Sequence, residues 1–161
     1  MGLPVSDKTN HARSGADSGQ HTKGRATVDW KLEVVPISVS EVDRAKAFYA
    51  EQVGFVVDLD TRLGDEIRLV QLTPPGSGCS IHLSTGILNM PAGMLEGLQL
   101  VVSDIEAARA DLVERGVEIS PVQHMEEGVW VEGRGGDWNS FVFFRDPDGN
   151  GWVLQERPAR A

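Results

Sequence analysis

The sequence predicts an α+β fold built from two βαβββ modules, one over about residues 30–88 and one over about 97–157. Three observations carry this. A strand signal, an acid-bearing cap, an amphipathic helix and a stopping glycine occur twice in the same order, with Val39 and Val102 63 positions apart and Gly54 and Gly116 62 apart. Strand-like segments punctuated by Gly, Pro and Asp follow each helix. Near the C-terminus, Asp146-Pro147-Asp148-Gly149 reads as a type I turn between the strand-favouring runs Phe141–Phe144 and Trp152–Leu154, which makes a hairpin.

In chain order, residues 1–29 are rich in Ser, Gly, Thr and Asp, lack hydrophobic periodicity and read as a disordered tail. His11 and His21 are isolated, solvated side chains within it. Lys31 to Val39 alternates, with Val35, Ile37 and Val39 on one face and Val34, Pro36 and Ser38 on the other. Ser40 reads as the cap of helix one, with Asp43 as its capping-box acid. Val42, Ala45, Phe48, Tyr49 and Val53 form the helix's apolar stripe, and Gly54 ends it. Strands follow at about 55–60, 66–73 and 79–84, the last two joined by the turn Pro74-Pro75-Gly76-Ser77-Gly78.

The second copy starts with the alternating run Gly97 to Val102. Ser103 is the expected cap and Glu106 its capping-box partner, Ile105, Ala108 and Leu112 are the stripe, and Gly116 is the stop. Strands are expected near 117–122, 140–145 and 151–156. The Gly- and acid-rich stretch Glu126–Asp137 reads as an inserted loop. It accounts for the later offset between the copies, which grows to 71 at His82 and Val153.

The length of 161 residues suits one domain, and the net charge of −9 repels phosphate backbones and anionic lipid, so neither nucleic acid nor a membrane is an expected partner. The single Cys79 excludes an internal disulfide and fits a reducing compartment. No apolar run is long enough to span a bilayer, and the expectation is a cytoplasmic protein.

The run Phe143-Phe144-Arg145-Asp146-Pro147-Asp148-Gly149-Asn150, placed after two strand-and-helix copies, resembles the last hairpin of the glyoxalase / bleomycin resistance / extradiol dioxygenase superfamily, the vicinal oxygen chelate (VOC) proteins. The resemblance covers 30–157 as one such domain. It implies that the two modules form a half-open barrel of strands, with helices on the convex face and ligands on the concave one. It also implies a metal site with one ligand from the first and last strand of each module, usually His, Glu or Gln. Those positions fall at Val34, His82, Gly97 and Val153, of which only His82 is a donor. A divalent metal takes three or four protein ligands. No metal site is therefore expected, and the chain departs from the enzymes of the superfamily.

Alternation separates the two faces. Val35, Ile37, Val39, Ile81, Leu83, Leu98, Leu100, Val102, Trp152 and Leu154 are expected to meet the helices. Val34, Pro36, Ser38, Ser80, His82, Gly97, Gln99, Val101, Val153 and Gln155 fall on the opposite side, the cavity side, a mixture of small, polar and apolar groups that suits a small-molecule pocket. Ser38, Ser80, His82, Gln99 and Gln155 are the polar ligand-binding candidates. The two glutamines either present amides to a ligand or bond to each other. Trp130 and Trp138 flank the glycine-rich loop and either stack on a planar ligand or cover an interface. His124 stands at the cavity mouth or on the surface, and Cys79, with no adjacent cation, reads as an inert thiol. Neither a nucleophile elbow nor a phosphate loop is present; Gly133-x-Gly135-Gly136 precedes no helix.

The missing ligands and the mixed pocket favour a metal-free binding protein, similar to the bleomycin-resistance branch, that holds a planar or amphipathic compound in the clefts of a homodimer. One alternative is a glyoxalase-like lyase or dioxygenase using Zn, Ni, Fe or Mn, whose metal would polarise a carbonyl or orient vicinal oxygens. Another is a metal-free enzyme with His82 as its general base and catalytic residue.

Overall fold

A computed structural model describes Val28–Ala159. The expected tail, with His11 and His21, lies almost wholly outside the described residues. The first module runs β1 (Val34–Ser38), α1 (Val42–Ala47), a π-helical turn (Phe48–Val53), β2 (Val56–Leu63), β3 (Ile67–Thr73) and β4 (Ser80–Ser84). The second runs β5 (Leu98–Val102), α2 (Ile105–Glu114), β6 (Gln123–Glu126), β7 (Val129–Glu132), β8 (Phe141–Arg145) and β9 (Gly151–Glu156). Among the described residues no helix is long and apolar enough to cross a membrane.

The strands form two sheets. Sheet A has the order β1-β4-β3-β2 and sheet B the order β5-β9-β8-β6-β7. In each, the first strand pairs in parallel with the last: Val35 lies opposite Ile81 and Pro36 opposite His82 in sheet A, Leu98 opposite Trp152 and Gln99 opposite Val153 in sheet B. The first strands are thus related by the offset of 63 and the last by 71, as the sequence predicts. Both modules run strand, helix and then antiparallel strands, three in the first and four in the second, and neither sheet closes into a barrel.

Both helices start one residue later than the hydroxyl caps suggest. The N-cap of α1 is Glu41, which makes no side-chain capping bond. Ser40 instead directs its amide and its hydroxyl to the Asp148 carboxylate, 108 positions away, and Asp43 pairs with Arg68. The N-cap of α2 is Asp104, not Ser103; its Oδ1 accepts from the Ala107 amide at 3.0 Å. Glu156 of β9 takes the Ile105 amide at 2.9 Å, so Glu106 has no capping role. At α2 a long-range carboxylate, invisible to local pattern, thus shares the orphan amides with the local cap. The stopping glycines behave as expected, both left-handed, Gly54 at φ 87° and Gly116 at 82°.

The expected strand at 117–122 does not form; only Ile119 bridges Phe144. Strand β7 lies instead inside the expected loop and pairs as a hairpin with β6, which ends where that loop begins. Glu126 faces Val129, leaving Glu127-Gly128 as a two-residue turn with φ of 48° and 84°. Positive φ at both positions is the type I′ arrangement, normally announced by Asn-Gly or Asp-Gly. Glu-Gly hides the signal.

One face of each sheet is apolar and carries the helices. Ile37, Val70, Leu72, Ile81 and Leu83 of sheet A and Val142, Phe144, Trp152 and Leu154 of sheet B are buried in one shared cluster with Ile105 and Leu112 of α2. The π-helical turn lets the consecutive Phe48 and Tyr49 both enter it, Tyr49 packing against Phe55 and Trp152 at centroid distances of 5.8 and 5.7 Å. The modules are joined at the Asp146–Gly149 turn, closed by the Gly149 amide on the Asp146 carbonyl at 3.0 Å. Asp146 accepts from the Tyr49 hydroxyl at 2.7 Å, and Asn150 donates to the Ser38 carbonyl at 3.3 Å and accepts from the Leu95 amide at 3.1 Å. With both helix faces in a common core, the helix-free faces lie on its outside. They are called the open faces below.

Candidate functional site: the open sheet faces

On the open face of sheet A the strand register brings together side chains from β2, β3 and β4. His82 Nε2 lies 2.8 Å from Gln71 Oε1. Gln71 Nε2 donates to Ser80 Oγ at 3.3 Å, Ser80 Oγ and Thr73 Oγ1 are 2.6 Å apart, and the Thr73 hydroxyl donates to Asp58 Oδ2. Asp58 sits where the β2–β3 register shifts between Val57 and Leu59, a bulge that re-aims its carboxylate toward this face. Ser80 and His82 thus belong to one network. Ser38, buried at the end of β1 beside Ser84, is not part of it.

The open face of sheet B is mostly apolar. The Trp130 ring meets Phe141 and Phe143 edge-on at 5.5 and 5.1 Å. Val153 lies opposite Phe143, and Met125 opposite Trp130. Beside this wall Gln99 donates to Gln155, whose Nε2 donates to the Trp138 carbonyl at 2.7 Å. The mutual amide bond weighed from sequence is therefore made, and it extends to Trp138. Trp138 adopts φ 59°, a left-handed conformation costly for a bulky residue. Trp130 and Trp138 remain 46% and 49% exposed, so both indoles are reachable from solvent.

His124 alternates with Gln123 and Met125 and points away from the open face. Its Nδ1 lies 2.9 Å from the Gly133 carbonyl oxygen, which anchors the loop after β7. Cys79 is half-buried, with its thiol toward the Ser80 carbonyl. Gln71, Thr73, Asp58, Phe141 and Phe143 were not singled out from the sequence. Period-two alternation along β3 and β8 carried the signal for four of them; the bulge at Asp58 broke it for the fifth. A cleft of about 630 Å³ opens at the end of sheet B, with Glu96, Gly97, Phe143, Arg145 and Val153 among its lining residues.

A family model described as the glyoxalase/bleomycin resistance protein/dioxygenase superfamily matches residues 31–154. The chain belongs to this superfamily. TnmS3 of Streptomyces sp. CB03234, an antibiotic-binding protein, is 31% identical with a TM-score of 0.67, over 82% of this chain and 99% of that one. A superfamily member from Sphaerobacter thermophilus is 28% identical with a TM-score of 0.65, over 80% of this chain and 98% of that one. The Bacillus subtilis protein YetH is 26% identical over 78% of this chain and 98% of its own length.

The positions that the resemblance assigns to the superfamily's metal ligands are Val34, His82, Gly97 and Val153. Val34, Gly97 and Val153 offer no donor side chain, and the Nε2 of His82 is engaged by Gln71. Gly97 and Val153 line the cleft at the end of sheet B, so these positions are open but apolar. Among the described residues no group of three or more His, Cys, Asp or Glu side chains is placed to hold a metal ion. The donor set does not fit the superfamily's divalent metal.

Proposed function

We propose that the chain is a metal-free small-molecule-binding protein of the superfamily, working as a homodimer in the cytoplasm and holding a planar or amphipathic compound against its open faces. The observation that carries this reading is the donor set: one imidazole stands where a metal-dependent member needs three or four ligands. The same donor count argues against a glyoxalase-like lyase or dioxygenase. The aromatic wall of Trp130, Phe141 and Phe143 suits a flat ligand, since rings stack and meet edge-on with favourable quadrupole contacts. The likeness to an antibiotic-binding protein at 31% identity supports ligand binding over turnover. The dimer is supported by the open faces themselves. Val56, Leu59 and Leu63 on β2 and Val101, Met125 and Trp130 on sheet B are exposed apolar side chains, and β2 and β7 are free sheet edges.

The experiment is a melting series with zinc, nickel, iron or manganese, alongside a tryptophan-quenching titration with planar aromatic compounds. A metal held only by the folded state at 100 times its dissociation constant adds about 2.7 kcal/mol, a visible rise in melting temperature. The reading expects no rise with any metal and saturable quenching that Trp130→Ala weakens. Stoichiometric metal that disappears in His82→Ala overturns it.

A further inference from the structure

The hydrogen bonds on the open face of sheet B start from a fixed acceptor. Trp138 sits in a loop pinned to β6: the Met125 amide donates to Asn139 Oδ1, and Asn139 Nδ2 donates to the Met125 carbonyl, both at 2.9 Å. The Trp138 carbonyl can only accept, so Gln155 presents Nε2 to it at 2.7 Å and turns Oε1 toward Gln99. Gln99 must answer with its own Nε2. Its Oε1 has no hydrogen-bond partner among the described residues, and Gln99 is exposed. The relay thus ends in a single side-chain amide, which keeps a free carbonyl oxygen and one further N–H.

That amide stands beside an apolar floor on the same sheet. Gln99 lies opposite Val153 and Val153 lies opposite Phe143, so the three form one row across neighbouring strands. Adjacent strands are about 4.8 Å apart, which leaves roughly 10 Å between the Gln99 and Phe143 backbones, the span of a small ring system. Trp130 backs Phe143 edge-on at 5.1 Å. A compact ring lying on Val153 therefore touches Phe143 on one side and reaches the Gln99 amide on the other.

Charge on this face is matched or distant. Among the described strand residues, alternation places Arg145 and Glu132 on it. Arg145 Nη1 donates to Glu96 Oε1 and to the Gly149 carbonyl, both at 2.6 Å. Glu132 is on the edge strand β7, with β6, β8 and β9 between it and the strand of Gln99. No unmatched charge stands beside the Gln99 amide, which suits an uncharged partner group.

We propose that Gln99 is the specificity-determining residue of this face, and that its side-chain carbonyl takes the hydroxyl of a phenol whose ring lies on Val153 against Phe143. The proposal rests on the binding-protein reading above and names the ligand class for one sheet face: a neutral aromatic hydroxyl compound. A hydroxyl donates to the free Oε1; a methyl ether cannot, and a carboxylate brings lone pairs and a charge with no free counter-charge beside it.

Three probes substituted at the same ring carbon test this: hydroxyquinoline, methoxyquinoline and quinolinecarboxylate. Each is titrated near neutral pH into isotope-labelled protein while backbone and side-chain amide signals are followed by NMR. The hydroxyl probe is expected to bind about three- to tenfold tighter than the ether, the worth of one hydrogen bond, and tighter than the carboxylate. It should also shift the side-chain amide pair that is missing from the Gln99→Leu spectrum. Gln99→Leu, a change at an exposed side chain that leaves the core alone, should bring the hydroxyl probe down to the affinity of the ether and leave the ether unchanged. Equal binding of hydroxyl and ether overturns the inference, as does a preference that survives Gln99→Leu because Gln123 makes the bond. Tightest binding by the carboxylate, lost in Arg145→Leu, overturns it in favour of an anion at Arg145. All three results leave the binding-protein reading in place. Failure of every probe to bind, or binding indifferent to Trp130→Ala, overturns the binding-protein reading and this inference with it.

Discussion

Tyr49 of the first module donates its phenolic hydrogen to Asp146 of the second at 2.7 Å, with both residues buried. The same phenolic oxygen accepts from Trp152 Nε1 at 2.9 Å, so one hydroxyl serves two partners across the module junction. Burial, and then the Asp146 charge, push the Tyr49 hydroxyl far above the usual tyrosine range. It stays protonated and acts as a structural donor. The turn that identifies the family is thus a staple between modules.

Tyr49→Phe leaves the buried Trp152 N–H without an acceptor and takes one of two donors from Asp146 Oδ2. The expected loss is about 1–3 kcal/mol, the cost of an unsatisfied buried polar group. Urea denaturation should show a lower midpoint with an unchanged slope. A loss below about 0.5 kcal/mol would mean the staple is not needed.

Asp60 gives a pH signature. Hydrogen bonds from Arg68, then from Lys46, hold its carboxyl below the usual carboxylate range. Because the folded value lies below the unfolded one, the contribution is complete above about pH 4 and is lost as pH falls through the folded value. Asp60 is an exposed residue whose side chain is a quarter accessible, so Asp60→Asn should cost only about 0.5–1 kcal/mol at neutral pH. The gap to wild type should narrow on acidification below about pH 4; a gap that stays constant there contradicts the assignment.

The β6–β7 turn should respond to residue type. Glu127 at φ 48° occupies a position suited to Asn, and Gly128 at 84° one suited to Gly. Glu127→Asn should stabilise by about 0.5 kcal/mol, and Gly128→Ala should destabilise by about 1 kcal/mol, a fall of roughly 2–4 °C in melting temperature. Opposite signs would show that the turn has another geometry in solution.

Light scattering at micromolar concentration should report two copies. The exposed apolar side chains of the open faces and the free edges of β2 and β7 are the surfaces a second copy would cover. A monomer removes the homodimer from the functional reading.

Much of this protein is legible in its sequence because strand alternation and helical stripes are short-range consequences of which face is buried. Ile37, Ile81, Leu83, Trp152 and Leu154 announce the core face, and with it the position of His82 and the lack of donor side chains at Val34, Gly97 and Val153. Gln99 and Gln155 also reveal their shared face. Tertiary structure alone decided where the polar groups find partners. Ser40 gives up its capping role because Asp148 comes within reach, and Glu156 rather than Glu106 joins Asp104 in satisfying the first amides of α2. The β6–β7 hairpin depends on a Glu-Gly turn whose local signal is weak, and the chain from His82 to Asp58 joins three strands through a bulge. These are contacts between residues far apart in sequence, set by packing two modules on one core, and no local period encodes them.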